Sequence, residues 1–422
     1  MSLPRMYRIR QTFDTPRLAD VPGEVRRQMT SLELAQRIKP GETVAITVGS
    51  RGVANVAIIT REIVQHFVAL GAKPFVVPAM GSHGGASAAG QRALIESFGV
   101  TEEFIGCPIK ATMETVIIDK TQQGIAVHFD KYASEADHVF IANRVKPHTM
   151  FVGPIESGLH KMMLIGLGKH AGAVNYHRAI KSFTFLEIIR AVGDVVVKRC
   201  RVLGGLALVE NAFEETALVE AVPVEKFYER ECILLEKARA WMPRLPLNDI
   251  DLLVVDEIGK EISGTGMDTN IVGRKFNDHA ATADDATNCR RIFIRGLTEK
   301  THGNGTGIGL SEFTNRRTVE ALDMDATKVN CITAGHATAA MIPVYYDTDR
   351  EVVTTALKTL GLTEPVDARV VQIKNTLHLE EMLVSETCLP QLNDNPRVSI
   401  VSGPFDWEFD GANNLIETIT GH

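Results

Sequence analysis

The sequence predicts an α/β fold: two α/β domains with mostly parallel sheets and an interdomain cleft. Three observations predict it. The chain has 422 residues, and single hydrophobic cores stop growing at roughly 250–300 residues. Short apolar runs rich in Val and Ile alternate with segments of helical spacing, the order that builds parallel sheets through right-handed crossovers. A polar, Pro-punctuated stretch, KARAWMPRLPLNDID, lies around 236–250. It places a boundary near 248, giving an N-terminal cofactor-binding and catalytic domain, 1–248, and a C-terminal domain, 249–422, closing the substrate cleft.

The elements follow in chain order. Thr43 to Gly49 (TVAITVG) is an apolar, β-rich run after Pro40-Gly41 and reads as a buried strand. Asn55 to Leu70 carries apolar residues at helical spacing and stops at Gly71. Lys73 to Pro78 is a second strand; it ends in the loop Met80 to Ala86 (MGSHGGA), which opens a helix at about Ser87 to Phe98. His138 to Asn143 and Val202 to Val209 add strands. The second half repeats the mixture, with strands at Asp251–Ile258, Arg291–Arg295 and Val329–Thr333 and a helix from about Val352 to Leu360. No internal repeat or low-complexity segment is evident.

Composition sets the class. Hydrophobic residues are 45% and charged residues 23%, the balance of a globular protein. Net charge is −7, from 45 basic and 52 acidic residues, with no long basic run, so no nucleic-acid partner is expected. Apolar stretches are strand-sized and no secretory leader is evident, so no membrane association is expected. Six well-separated cysteines without a CxxC read as reduced thiols in a cytoplasmic protein.

Chemistry gathers on glycine-containing loops of the first half. Ser50-Arg51 follows the first strand, where a guanidinium can fork onto a carboxylate or phosphate; a turn arginine is the plainer reading. His83 stands among glycines at a strand end, where packing does not explain it. Between His148 and His177 four histidines fall within thirty residues, interleaved with glycine and joined by Lys161. His148, Lys161 and His177 together read as a site. Lys146 and Lys169 read as solvated loop lysines, and His160 as a loop histidine. The familiar fingerprints are absent: no GxGxxG after the first strand, no GxxxxGK[ST], no GxSxG and no HExxH. Several histidines without zinc-site spacing suggest acid/base work and a single ligand to a metal held mainly by something else.

As a set these motifs resemble the lactate racemase family, whose enzymes carry a nickel-pincer nucleotide. The likeness rests on Ser50-Arg51, Gly81-Ser82-His83, Lys146-Pro147-His148, Gly158-Leu159-His160-Lys161 and Asn175-Tyr176-His177, in matching order across 45–180. The resemblance implies a racemase or epimerase inverting C2 of a 2-hydroxy acid by hydride transfer. It implies that Lys161 bears the cofactor with Ser50 nearby, that His177 is the one protein ligand to nickel, and that His83 and His148 are the acid/base pair. Arg51 would hold the substrate carboxylate, with Thr269 and Asn270 as further substrate contacts. Cofactor-biosynthesis proteins would load the enzyme.

Departures are visible. Leu159-His160 stand where the family often has two glycines. An Asp-Gln-Asn segment followed by lysine is matched only by Asp268-Thr269-Asn270 with Arg274 after it. The substrate class is therefore left at 2-hydroxy acids, a sugar acid included, and not narrowed to lactate. A glycine-rich loop, Thr301–Gly307, reads equally as a second wall of the cleft or as a flexible surface loop. Two other classes fit the residues: a histidine-based lyase or dehydratase without the pincer, and a non-enzymatic binder of a small carboxylate.

Overall fold

The computed structural model describes residues 2–50, 52–416 and 419. It divides into two compact units: Thr15–Met242, and Met1–Asp14 with Pro243–His422. The division is not contiguous in sequence, as a single boundary at 248 would make it. The opening strand β1 (Met6–Gln11) pairs antiparallel with β14 (Glu381–Ser385) on one side and β15 (Val398–Phe405) on the other. Met6 and Ile9 are thereby buried, which ties the N-terminus to the second unit.

The unit Thr15–Met242 is built on a five-stranded sheet. Its strands are β2 (Thr43–Val48), β3 (Lys73–Pro78), β6 (His138–Arg144), β7 (Val202–Glu210) and β8 (Thr216–Pro223), in the order β3-β2-β6-β7-β8. All pairings are parallel except β7–β8. A parallel sheet needs cover on both faces, so its strands read as continuous apolar runs. Val44, Ile46 and Val48 join one core with Val25 and Met29 of the helix Val21–Ser31 and Ile59, Ile63 and Phe67 of the helix Val56–Ala69. Ala45, Val139 and Ile141 point the other way, onto Ile188, Val192 and Val196 of the helix Phe185–Arg199 and Leu234 and Leu235 of the helix Phe227–Trp241. The helix Phe185–Arg199 starts at a capping box of Thr184 and Glu187. A separate antiparallel pair, β4 (Thr115–Lys120) with β5 (Ala126–Asp130), packs on the second core.

The other unit holds an eight-stranded sheet. To the strands named it adds β9 (Asp249–Val255), β10 (Asn288–Ile294), β11 (Phe313–Asn315), β12 (Val344–Tyr346) and β13 (Val370–Ile373). The order is β12-β11-β10-β9-β13-β14-β1-β15, parallel from β12 to β13 and antiparallel beyond. Val352, Val353 and Ala356 of the helix Asp349–Lys358 cover Leu252, Val254, Phe293 and Val370.

One expected strand is a helix. Val329–Thr333 lies within the helix Met324–Thr333, which starts where the Asp323 side chain accepts from the amides of Asp325 and Ala326. That cap outweighs the β-propensity of a short apolar run. Only Cys331 of the run is buried, while Val329 and Ile332 are exposed. The Thr301–Gly307 loop is hydrogen-bonded at both ends, with Thr301, Gly305, Thr306 and Gly307 buried. Thr301 Oγ1 donates to Asn304 O (2.8 Å), and the Gly305 amide donates to Thr327 Oγ1 (2.9 Å). A side chain at Gly307, at φ 95°, would overlap Thr265 O. All six cysteines are unpaired. Among the described residues no helix is long and apolar enough to cross a membrane.

A buried ion network closes the C-terminal ends of β9 and β10. Arg295 bonds Asp256 Oδ1 (2.5 Å), Asp349 Oδ2 (3.1 Å) and Leu415 O (2.7 Å). Removing one partner strands buried charge, which costs about 3–5 kcal/mol. Arg295→Met is expected to lower the unfolding free energy of the second unit, read from urea melts, by about 3–5 kcal/mol, with the transition of the first unit in place.

Candidate active site

Parallel strands deliver their following loops to one edge of the sheet, and open α/β sheets bind ligands there. Beyond β2 come Gly49 and Ser50, beyond β3 the segment Ala79–Gly85, and beyond β6 the segment Val145–Gly158. All three meet the segment that carries Lys161 and His177. A Cβ on Gly49 would stand 3.3 Å from Met162 Cε, and one on Gly81 3.3 Å from Ile165 Cγ2 and 3.4 Å from Ala173 Cβ. Asn143 Nδ2 donates to Gly158 O (2.8 Å). Ser50 is half-buried at this edge, and Arg51 lies outside the described residues. Its flank is held: Glu210 accepts from the Ala54 amide (2.7 Å) and pairs with Arg144.

The glycine-rich stretch has little regular structure of its own, and buried carboxylates hold it. Glu156 is fully buried. It accepts from the His148 amide (2.7 Å), the Gly153 amide (3.3 Å) and Arg239 Nη2 (2.7 Å). Glu231, equally buried, accepts from the His160 amide and pairs with His160 Nδ1. His160 is therefore an interior anchor and not a loop histidine. Gly158 sits at φ 103°, and a side chain there would overlap Glu231 Oε1. After this anchor Lys161 emerges half-buried, and the chain passes into a π-helical turn, Met162–Gly166. Such turns are rare and concentrate at functional sites.

The imidazoles have defined settings. His148 Nδ1 accepts from the amides of Met150 (3.0 Å) and Phe151 (3.2 Å), so in the neutral ring the proton sits on Nε2. Its ring stacks on Phe151 at 4.5 Å, and Phe151 in turn lies 6.4 Å from the His177 ring. Burial first, then the nearby charge of Lys161, hold His177 below the ordinary histidine range. A neutral imidazole is the form that ligates a metal. His83 is half-buried, preceding the turn Gly84–Ala86.

Lys169 overturns its expectation as a solvated lysine. It is fully buried, with Nζ 3.1 Å from Asp130 Oδ2 and 3.2 Å from Gln91 Oε1, and bonded to Pro78 O. Burial lowers the Lys169 pKa and raises that of Asp130. Nζ donates to Pro78 O and Gln91 Oε1, and Asp130 Oδ2 faces it at ion-pair distance without a hydrogen bond.

Thr269 and Asn270 belong to the other unit. Thr269 is buried in the short helix Thr269–Val272. Asn270 Nδ2 donates to Asp268 Oδ1 (2.7 Å), and its Oδ1 accepts from Lys275 Nζ (2.9 Å). Lys275 is thus the lysine that follows this segment, one residue past the Arg274 that sequence spacing singles out. Arg274 is buried and bonds Cys289 O (2.8 Å) and Glu312 (3.1 Å). Sequence reasoning missed Gln91, Asp130, Glu156, Glu231 and Lys275. The one available signal was Glu156, an acidic residue within the otherwise uncharged Gly153–Gly158. Among the described residues no group of three or more His, Cys, Asp or Glu is placed to hold a metal ion.

Residues 17–184 match the family model of the lactate racemase N-terminal domain. The structure of the lactate racemase apoprotein from Thermoanaerobacterium thermosaccharolyticum is similar to this chain, with a TM-score of 0.51 and 14% identity. The similarity covers 87% of this chain and 94% of that one, and at this identity it speaks for the fold. No curated protein matches the chain.

His177 is expected to titrate below about 6.5, the ordinary histidine value, in a histidine-labelled NMR titration. Lys161→Met removes a neighbouring positive charge and should move that midpoint upward. Because the unfolded imidazole holds its proton more tightly than the folded one, the native state loses stability as pH falls from about 6.5.

Proposed function

We propose that this chain, whose residues 17–184 match the model of the lactate racemase N-terminal domain, is a racemase or epimerase of 2-hydroxy acids that works with a nickel-pincer nucleotide on Lys161. The observation that carries the reading is the pairing of Lys161 with His177. Both side chains are half-buried, and burial first, then the charge of Lys161, lowers the His177 pKa. The donor set fits the group: the Lys161 amine would anchor an organic cofactor covalently, and the neutral His177 imidazole would supply one nitrogen donor to its nickel. When bound, that cofactor supplies a hydride acceptor, which spares the substrate a dianion at the carbon beside its carboxylate.

The chain's own residues supply the rest. Arg51 holds the substrate carboxylate bidentately. His83 and His148 handle the hydroxyl proton, one for each hand of the substrate, because inversion in both directions needs an imidazole on each side. The two backbone amides at His148 Nδ1 leave Nε2 carrying the proton in the resting ring, so His148 starts as a donor. Phe151 and Phe185, stacked at 4.1 Å, give His148 an apolar flank that excludes water. Ser50 is assigned to cofactor binding, and Thr269 and Asn270 to substrate binding. The cofactor-building proteins load the enzyme.

Protein made together with those proteins should contain nickel and show added mass on Lys161, and Lys161→Ala should lose both. A panel of 2-hydroxy acids assayed for inversion at C2 should reveal a substrate. His83→Ala and His148→Ala should each lower kcat by about 10²–10⁴-fold. Full activity in both variants, or loaded protein inert on the whole panel, would overturn the reading.

A further inference from the structure

Lys169 breaks three local rules. It lies in the left-handed region, at φ 54°, where lysine is uncommon. It begins the helix Lys169–Ala179, the end at which the helix dipole disfavours a cation. It is fully buried beside Asp130, and the desolvation of such a pair commonly exceeds its Coulombic gain. Stability alone would favour apolar residues at both positions. Local violations of this kind concentrate where function demands them.

Its contacts show what the violations secure. The Lys169 ammonium bonds Pro78 O, the last residue of β3, and Gln91 Oε1 at 3.2 Å. Gln91 is fully buried, and its Nε2 faces the carbonyls of Met80 (3.0 Å), Gly81 (3.0 Å) and His83 (3.4 Å). Gly84 and Gly85 follow at φ 62° and 63°, a backbone with many accessible conformations when nothing holds it. A Cβ on Gly81 would stand 4.0 Å from Lys169 O, so the loop also rests on the start of that helix. The same helix carries His177 in its last turn.

We propose that Lys169 is a positioning residue for His83, fixing the backbone from Pro78 to His83 directly and through Gln91, and setting it in one frame with the helix that bears His177. The proposal rests on the reading of His83 as an acid/base imidazole, but the geometry it concerns exists without cofactor or substrate. A misplacement of about 1 Å at such a group costs on the order of 10²-fold in rate.

The test uses the full chain labelled with 15N-histidine and without cofactor. Lys169→Met and Gln91→Leu should each shift the His83 ring signals and leave those of His336, in the other unit, in place. The double variant Lys169→Met with Asp130→Leu removes the stranded carboxylate and should recover the urea midpoint that Lys169→Met loses. Its His83 signals should stay displaced, which a purely stabilising role for Lys169 does not predict. In cofactor-loaded protein the same double variant should lose about 10²-fold in kcat with KM little changed. A double variant with parental His83 signals would overturn the proposal. If Lys169→Met does not fold, Gln91→Leu decides: unmoved His83 signals overturn it. Displaced signals alongside a loaded parent with no racemase activity would leave Lys169 a positioning residue and sink only the assigned reaction.

Discussion

Glu156, Glu231 and the Asp130–Lys169 pair, all fully buried, hold in one conformation a segment that cannot hold itself. Between Arg144 and His177 the chain is rich in glycine and has short, irregular elements, so its backbone entropy is high and its own ladder bonds are few. Each carboxylate answers this by taking backbone amides and a fixed cation or imidazole. Glu156 sets the turn that presents His148. Glu231 sets the turn from which Lys161 emerges. Asp130 neutralises the ammonium that grips the His83 loop. A buried charge is costly when unpaired, which is why these contacts are specific: an alternative loop conformation leaves a carboxylate without partners.

The sheet supplies the frame for these anchors. Strands β2, β3 and β6 run parallel, so three loops reach one edge together, and helices on both faces keep that edge rigid. The anchors reach back into this frame. Arg239 and Glu231 both lie on the helix Phe227–Trp241, which packs on the sheet core through Leu234 and Leu235. Rigidity of this kind suits chemistry that depends on placing two imidazoles and an amine within narrow limits.

The electrostatics work in the same direction. Burial first, then the charge of Lys161, lowers the His177 pKa and so favours its neutral form. Two backbone amides select one tautomer of His148. Neither effect needs a bound ligand.

Much of this was legible in the residues. Apolar runs of strand length alternating with helical spacing specified a parallel α/β sheet, because periodicity reports burial and burial follows the fold. Glycine-flanked histidines at strand ends marked the loops of the candidate site, since turn chemistry is local. The sequence could not say that β1 would join the far end of the chain, that Val329–Thr333 would be a helix, or that Lys169 and His160 would be interior. The N-terminal strand finds partners more than 370 residues away, and the anchor of His160 lies 71 residues on. Local pattern carries no record of such partners. Whether a lysine is solvated or buried against a carboxylate is decided only when the chain has closed and water has left, so that choice belonged to the tertiary structure.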